Sequence, residues 1–480
     1  MFLRHINNKV KVLVPVLVII AVTSCSKDFL DVVPIDRIPK DEFFKTESDL
    51  ITAVNGIYAQ QKVVYSSGEL PLYNLEETRS DNTSQKFGRQ TEHRAVDNFT
   101  AEAGNNSYIF NWADTYNCIA LCNAVIARAP AVEMDETRKQ RIIGEAKFIR
   151  GHMYFNLVKD YGGVPLRLTE TTSLSGDNNL ARASVQDVYA QIIKDLDSAS
   201  KTLPPSYTGA DVGRATSGAA FTLLGKAYLQ SGNKEAAVAA LREVVKPGSL
   251  YELLPTYAEL WNPNLKNSKE SIFEIQFLPP LNGSPFFNYM APPSLNIPGG
   301  NNGNTGPNTP TQDLIDAYEP NDQRRDASIA FDADNRPYII KFRDPAIKTG
   351  NDANNNFPIL RYADAMLLLA EALGESGEAY DLINEVRDRA GLGPINAATP
   401  GTFAEKLLHE RQVELAFETH RWHDMLRLMT KEQVISHMNT HLEKEFPGQN
   451  ISIDDHDLLN PIPTTEKQTN SLLEQNPGYL

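Results

Sequence analysis

The sequence predicts a mostly α-helical protein, built from stacked helix pairs, with long irregular loops and few short strands. Three observations lead there. Apolar residues recur at helical spacing through several long stretches. A Leu-Gly, aromatic, Gly, small-residue pattern typical of helical repeats occurs over 224–241, with a weaker echo over 369–383. No long alternation of β-branched residues appears before about residue 270.

In chain order, Lys9 and Lys11 lead into the apolar run Val12–Val22, which ends at Thr23-Ser24-Cys25. The run is shorter than the about 20 residues of a membrane span, so residues 1–24 read as a secretory signal. Val22-Thr23-Ser24-Cys25 resembles a bacterial lipobox, in which Cys25 becomes the lipidated N-terminus. Residues 25–45 then read as a tether, with Pro34 and Pro39 discouraging helix. Thr46 and Asp49 form an N-cap pattern for a helix burying Leu50, Val54, Ile57 and Tyr58. Trp112, Tyr116, Ile119, Cys122 and Ile126 share one side of a helix over 107–128, and Ile142, Ala146, Ile149, Met153 and Leu157 one side of 138–160. Ser184 with Asp187 starts another helix, stopped by Pro204-Pro205. Leu224-Gly225, Tyr228, Gly232, Ala237 and Leu241 fit the about 34-residue helix-pair pattern, with Gly225 at the close approach. Leu369, Ala370, Leu373, Gly377 and Ile383 echo it, and a further helical stretch covers 403–429. Ser271–Leu278 and Pro337–Phe342 are the strand candidates. Residues 279–310 are rich in Pro, Gly and Asn and read as one long loop.

Composition narrows the function. Hydrophobic content of 41% with 22% charged residues is that of an ordinary globular protein. The net charge of −15 becomes −18 once Arg4, Lys9 and Lys11 leave with the signal, which argues against nucleic acid. Cys118 and Cys122, four apart on one helix, read as buried thiols.

No catalytic motif stands out, neither Gly-x-Ser-x-Gly nor His-Glu-x-x-His, so the protein is expected not to be an enzyme. His437 with His441 and His420 with His423 have helical metal spacing but lack a recognisable completing ligand, so no metal or cofactor is expected. Asp332-Ala333-Asp334-Asn335 lacks the glycine and glutamate of a calcium loop. Arg411 with Glu414, and Glu418 with Arg421, read as charge pairs supporting a helix. Loops that carry flat aromatic faces with amide, carboxylate or guanidinium partners are suited to holding a polar ligand. Two regions qualify as ligand loops. Residues 73–99 hold Tyr73, Asp81, Asn82, Phe87, Arg89, His93 and Phe99; residues 279–310 hold Phe286, Phe287 and Tyr289.

The ordered segments of the chain resemble the SusD/RagB-like family of outer-membrane nutrient-binding lipoproteins of Bacteroidota. They begin with Asp28-Phe29-Leu30-Asp31, then Gly144–Arg150 continuing to Tyr161-Gly162-Gly163-Val164-Pro165-Leu166, and Asn267–Ile272. Pro358–Asp364, Arg389-Ala390-Gly391-Leu392, Glu410-Arg411, Glu414–Glu418, Arg421-Trp422, Pro461-Ile462-Pro463 and Gln475–Tyr479 follow. The resemblance implies a SusD-like fold over 46–480, with tetratricopeptide-like helix pairs as scaffold. It implies capture of oligosaccharides at the cell surface, as a lid over a SusC-like TonB-dependent transporter. It also implies a lipid anchor in the outer membrane facing outside, in keeping with Lys27-Asp28 beside Cys25. Relatives of RagB type that take peptides or proteins leave a second ligand class open, and a lipid-anchored glycosidase is a third reading. The family motifs are scaffold motifs and designate no ligand contact.

Overall fold

The computed structural model describes residues 43–68, 70–86, 91–171, 179–295, 308–349 and 351–479. The signal, Cys25, almost all of the tether, Phe87, Arg89 and residues 296–307 of the long loop lie outside the described residues.

The scaffold is a stack of helices. In chain order these are α1 (Glu47–Ser66), α2 (Asn106–Arg128), α3 (Glu136–Tyr161), α4 (Val185–Thr202), α5 (Ser217–Gln230), α6 (Lys234–Leu241), α7 (Tyr362–Leu373) and α8 (Gly377–Arg389). Each packs on the next, and α6 meets α7 although 120 residues intervene between Leu241 and Tyr362. The caps expected from sequence are in place. Thr46 and Asp49 form a reciprocal capping box on α1, and the Ser184 hydroxyl accepts the Asp187 N–H at 3.1 Å on α4. Gly225 explains the closeness of α5 and α6: a Cβ there would stand 2.5 Å from Leu241 Cγ. The two repeat-like segments also stack on each other, Leu229, Ala237 and Leu241 joining Leu368, Leu369 and Ala372 in one cluster. Cys118 and Cys122 are buried free thiols, and Trp112 and Trp422 are core residues.

Sheet is minor. Among the described residues β1 (Thr83–Ser84) pairs with β3 (Thr309–Pro310), β2 (Ser271–Ile275) with β6 (Phe357–Arg361), and β4 (Ile329–Phe331) with β5 (Pro337–Ile339), all antiparallel. The helical stretch 403–429 consists of α9 (Phe403–Glu414) and α10 (Arg421–Leu428), separated by a turn in which Phe417 and Thr419 take positive φ. α11 (Lys431–Glu445) follows. The long loop is not wholly irregular, since Phe286–Met290 forms a helical turn. The Asp332 carboxylate accepts the backbone N–H groups of Asp334 and Arg336, both at 2.9 Å, and closes the β4–β5 hairpin. Among the described residues no helix is long and apolar enough to cross a membrane.

Candidate functional site

The two regions singled out in the sequence meet. β1 and β3 bind them edge to edge, with Thr83 opposite Pro310 and Ser84 opposite Thr309. Tyr289, on the short helical turn, joins them through its side chain: its hydroxyl donates to Asn74 Oδ1 at 2.7 Å and accepts from Gln85 Nε2 at 2.8 Å. His93 Nδ1 lies 3.2 Å from the same hydroxyl. Tyr73 and His93 both stand edge-on to Tyr289, at ring distances of 6.3 and 5.9 Å. Tyr289 is half-buried, so this aromatic and amide cluster reaches from the core toward the surface.

Most of the individual candidates serve differently from the expectation of exposed loop contacts. Phe286 and Phe287 are 1% and 2% exposed, and Phe286 stacks on Phe357 at 4.2 Å. The helical turn directs both rings inward, where Phe277, Phe342 and Phe357 offer an apolar slot that water would otherwise fill at a cost. Tyr73 is core on one face and reaches the cluster with its edge. Phe99 packs on Trp422 at 5.5 Å, and the Arg79 guanidinium lies 4.7 Å over the Phe99 ring. Asp81 is buried against Arg421 in a bidentate pair at 2.7 Å, with His437 Nε2 at 2.8 Å. Burial would raise this carboxyl, but the Arg421 charge and hydrogen bonds hold it well below the usual range. Asn82 is buried between Glu77 and Gln412, its amide donating to Glu77 at 3.1 Å. Of the candidates, Tyr73, His93 and Tyr289 come together, while Asp81, Asn82, Phe99, Phe286 and Phe287 support the structure around them.

Residues not anticipated complete the site. Gln85 and Asn74 carry no sequence signal beyond being amides near aromatics, and only the β1–β3 pairing makes them partners of Tyr289. The Asp97 carboxylate accepts the Gln85 N–H at 2.7 Å and the Ser84 hydroxyl at 3.2 Å, fixing the end of β1. Burial pushes the Asp97 and Glu77 carboxyls up to about 7, despite the hydrogen bonds each accepts.

Behind this face lies a frame of buried charges, a second correction to the sequence reading. Arg411, Glu414, Glu418 and Arg421 are not solvated helix-supporting pairs. Arg361 meets Glu270 at 2.8 Å, Glu414 at 3.0 Å and Glu418 at 2.7 Å, while Arg389 meets Glu270 and Glu414 at 3.0 and 2.6 Å. Arg324 bridges Asp322, Glu410 and Glu414, and Lys341 meets Glu418 at 2.7 Å with its ammonium 4.1 Å over the Trp261 ring. Arg411 sits between Asp364 and Asp424. Burial disfavours the Glu414 carboxylate, yet the arginines around it hold it at about 2.

The histidine pairs divide among separate partners: His437 on Asp81, His441 on Asp313, His420 on Lys226 and His423 on Asp160. Glu76, Asp160 and His423 do converge, but the Lys159 ammonium, 2.9 Å from Glu76, already supplies the cluster with positive charge. The larger clefts, of about 330 and 280 Å³, flank Val212–Arg214 against β2, away from Tyr289. Among their polar groups, Arg214 engages Glu145 and Asp211, and Asn267 engages Gln276.

Comparison with known proteins agrees with this architecture. Residues 324–479 match a family model described as the SusD family, and residues 28–229 match one described as starch-binding and associating with the outer membrane. The chain is 27% identical over 514 residues to SusD-like protein P2 of Formosa agariphila, covering 97% of this chain and 98% of that one. It is 28% identical to a solved laminarin-binding SusD-like protein, covering 91% of this chain and 100% of the other, with a TM-score of 0.76. A SusD superfamily protein from Bacteroides vulgatus, 25% identical, superposes over 91% of this chain and 100% of its own with a TM-score of 0.77. Helix-pair stack, ordered motifs and matches at both ends of the chain agree in their likeness to the SusD/RagB-like family.

Proposed function

We propose that this protein is a non-catalytic surface lipoprotein that binds oligosaccharides where residues 73–99 meet residues 279–310. The observation that carries the reading is the convergence of those two segments on the half-buried Tyr289, where aromatic rings and side-chain amides, the groups that sugar recognition uses, stand together. The similarity to a laminarin-binding relative supports the ligand class. Cys25 carries the lipid anchor in this reading, and a SusC-like TonB-dependent transporter receives the ligand, since a binder without a pore imports nothing.

The test is a binding screen with the soluble chain from residue 27 against laminarin, other oligosaccharides and peptide pools. Retention of a glycan without new reducing ends is expected. Retention of peptides alone would reassign the ligand class, and new reducing ends would make the protein a glycosidase. Tyr289→Phe removes one hydroxyl from the cluster and should weaken glycan binding by about 0.5–1.5 kcal/mol, read by calorimetry. Cys25→Ala should abolish acyl labelling and release the protein from the outer membrane. Gentle detergent extraction should recover the protein with a large barrel partner; isolation as a free monomer would favour an independent receptor.

A further inference from the structure

Phe417 and Thr419, in the turn between α9 and α10, hold left-handed backbone angles, φ 70° and 62°. Side chains other than glycine persist there only where the surroundings over-determine the backbone. Here one carboxylate takes both amides of the left-handed residues. Glu77 Oε1 accepts the Phe417 N–H at 3.0 Å, and Glu77 Oε2 accepts the Thr419 N–H at 2.7 Å. Oε1 also accepts the Asn82 amide at 3.1 Å. All three partners donate, so the site asks for a group that only accepts.

Glu77 is fully buried and lies on a π-helical turn, Asn74–Thr78, a geometry frequent at functional sites. The same turn supplies Asn74 to the Tyr289 hydroxyl. On the other side, Asn82 leads directly into β1; its carbonyl accepts the Thr311 N–H at 3.0 Å, and β1 runs to Gln85 beneath Tyr289. The strained turn is in turn fastened to the charge frame: Lys341 donates to the Ala416 carbonyl and to Glu418, and Arg421 grips Asp81.

Resting on the binding reading above, we propose that Glu77 is a positioning residue of the ligand face. Its carboxylate ties the left-handed Phe417–Thr419 turn of the charge frame to Asn82, and so sets β1 and Gln85 under Tyr289. The clamp and the strain it holds are two parts of one device, which makes the device testable by rescue.

The experiment uses the full chain in mild detergent at pH 8, with laminarin as the probe. Glu77→Gln replaces an acceptor by a donor facing N–H groups, and should weaken laminarin binding by about tenfold or more. It should also release the hydrogen-exchange protection of the amides in residues 82–86. Thr419→Gly keeps the N–H that Glu77 accepts and adopts the left-handed turn without strain, and by itself it is the reference against which the double variant is read. In the double variant it should restore binding and protection, because the turn then keeps its shape without the clamp. Wild-type binding in Glu77→Gln, or a double variant as impaired as Glu77→Gln, overturns the proposal. Should Glu77→Gln fail to fold, folding of the double variant supports the clamp and its failure overturns it. Should wild type bind no laminarin, that result bears on the ligand class, while exchange in residues 82–86 still decides the clamp.

Discussion

In the helix-pair stack, Gly225 lies against Leu241, and Leu229 and Ala237 lie against Leu368 and Leu369; the interface is apolar and shape-matched. In the charge frame a few residues away, Arg361 is surrounded by Glu270, Glu414 and Glu418, all removed from water. Both regions are buried, yet their failure modes differ. Apolar packing weakens by degrees, with the volume of side chain removed, because neighbours relax partly into the gap. A buried ion network has no graded failure: removing one member strands its partners as uncompensated charges. The face proposed to bind ligand leans on the second kind, since Asp81 beside it is paired with Arg421.

The sharpest test of that contrast is Arg361→Leu. It leaves Glu270, Glu414 and Glu418 short of one buried positive charge, with Arg389, Arg324 and Lys341 still against them, and should cost about 3–5 kcal/mol, read as a lowered denaturant midpoint or loss of soluble protein. A cost below that of Gly225→Leu would erase the distinction. Phe286→Ala should also cost about 3–5 kcal/mol, because it empties the slot against Phe357. If stability stayed at wild type while glycan binding fell, Phe286 would be a ligand contact and not core. Gly225→Leu forces a side chain into space already held by Leu241 and should cost about 1–3 kcal/mol. An unchanged melting temperature would show that α5 and α6 tolerate separation.

A last test reads the buried carboxyls by pH. Glu414 and Glu76 are held at about 2, below their ordinary value of 4.5, so the stability they bring is present above that value and lost as pH falls toward 2. Asp97 and Glu77 behave in the opposite sense. Their folded carboxyls sit at about 7, above ordinary values of 3.8 and 4.5, so the folded state binds these protons more tightly than the unfolded chain. That stability is present below about pH 4 and lost as pH rises through about 7. Asp97→Asn should flatten the decline between pH 4 and 7 and leave the acid limb intact. An unchanged slope would mean that Asp97 titrates at its ordinary value. Denaturant titrations at several pH values read both limbs.

The stack was legible in the sequence because its determinants are local. Thr46 with Asp49 and Ser184 with Asp187 announce their helices within one turn. Gly225 and Leu241 belong to one helix pair, and the apolar rows of α2 and α3 follow helical spacing. The site was only half legible. Tyr73, His93 and Tyr289 stood out as aromatic and polar residues in the right regions, and the structure brings them together. Phe286, Phe287 and Phe99 stood out for the same reason and are packed inside. Composition marks a loop as rich in rings but does not say which ring faces inward.

The sequence alone determined the helix-pair architecture, the break at Pro204-Pro205 and the two regions that converge, since each rests on interactions spanning a few residues or on one continuous segment. The tertiary structure decided the partners of the charges. Glu77 meets Phe417 and Thr419, and Asp81 meets Arg421, across about 340 residues of chain. In sequence, Glu414 and Glu418 are indistinguishable from charges on a solvated helix. What separates them is the removal of water by segments that arrive from elsewhere in the chain, which turns an inexpensive surface charge into one that must find its opposite.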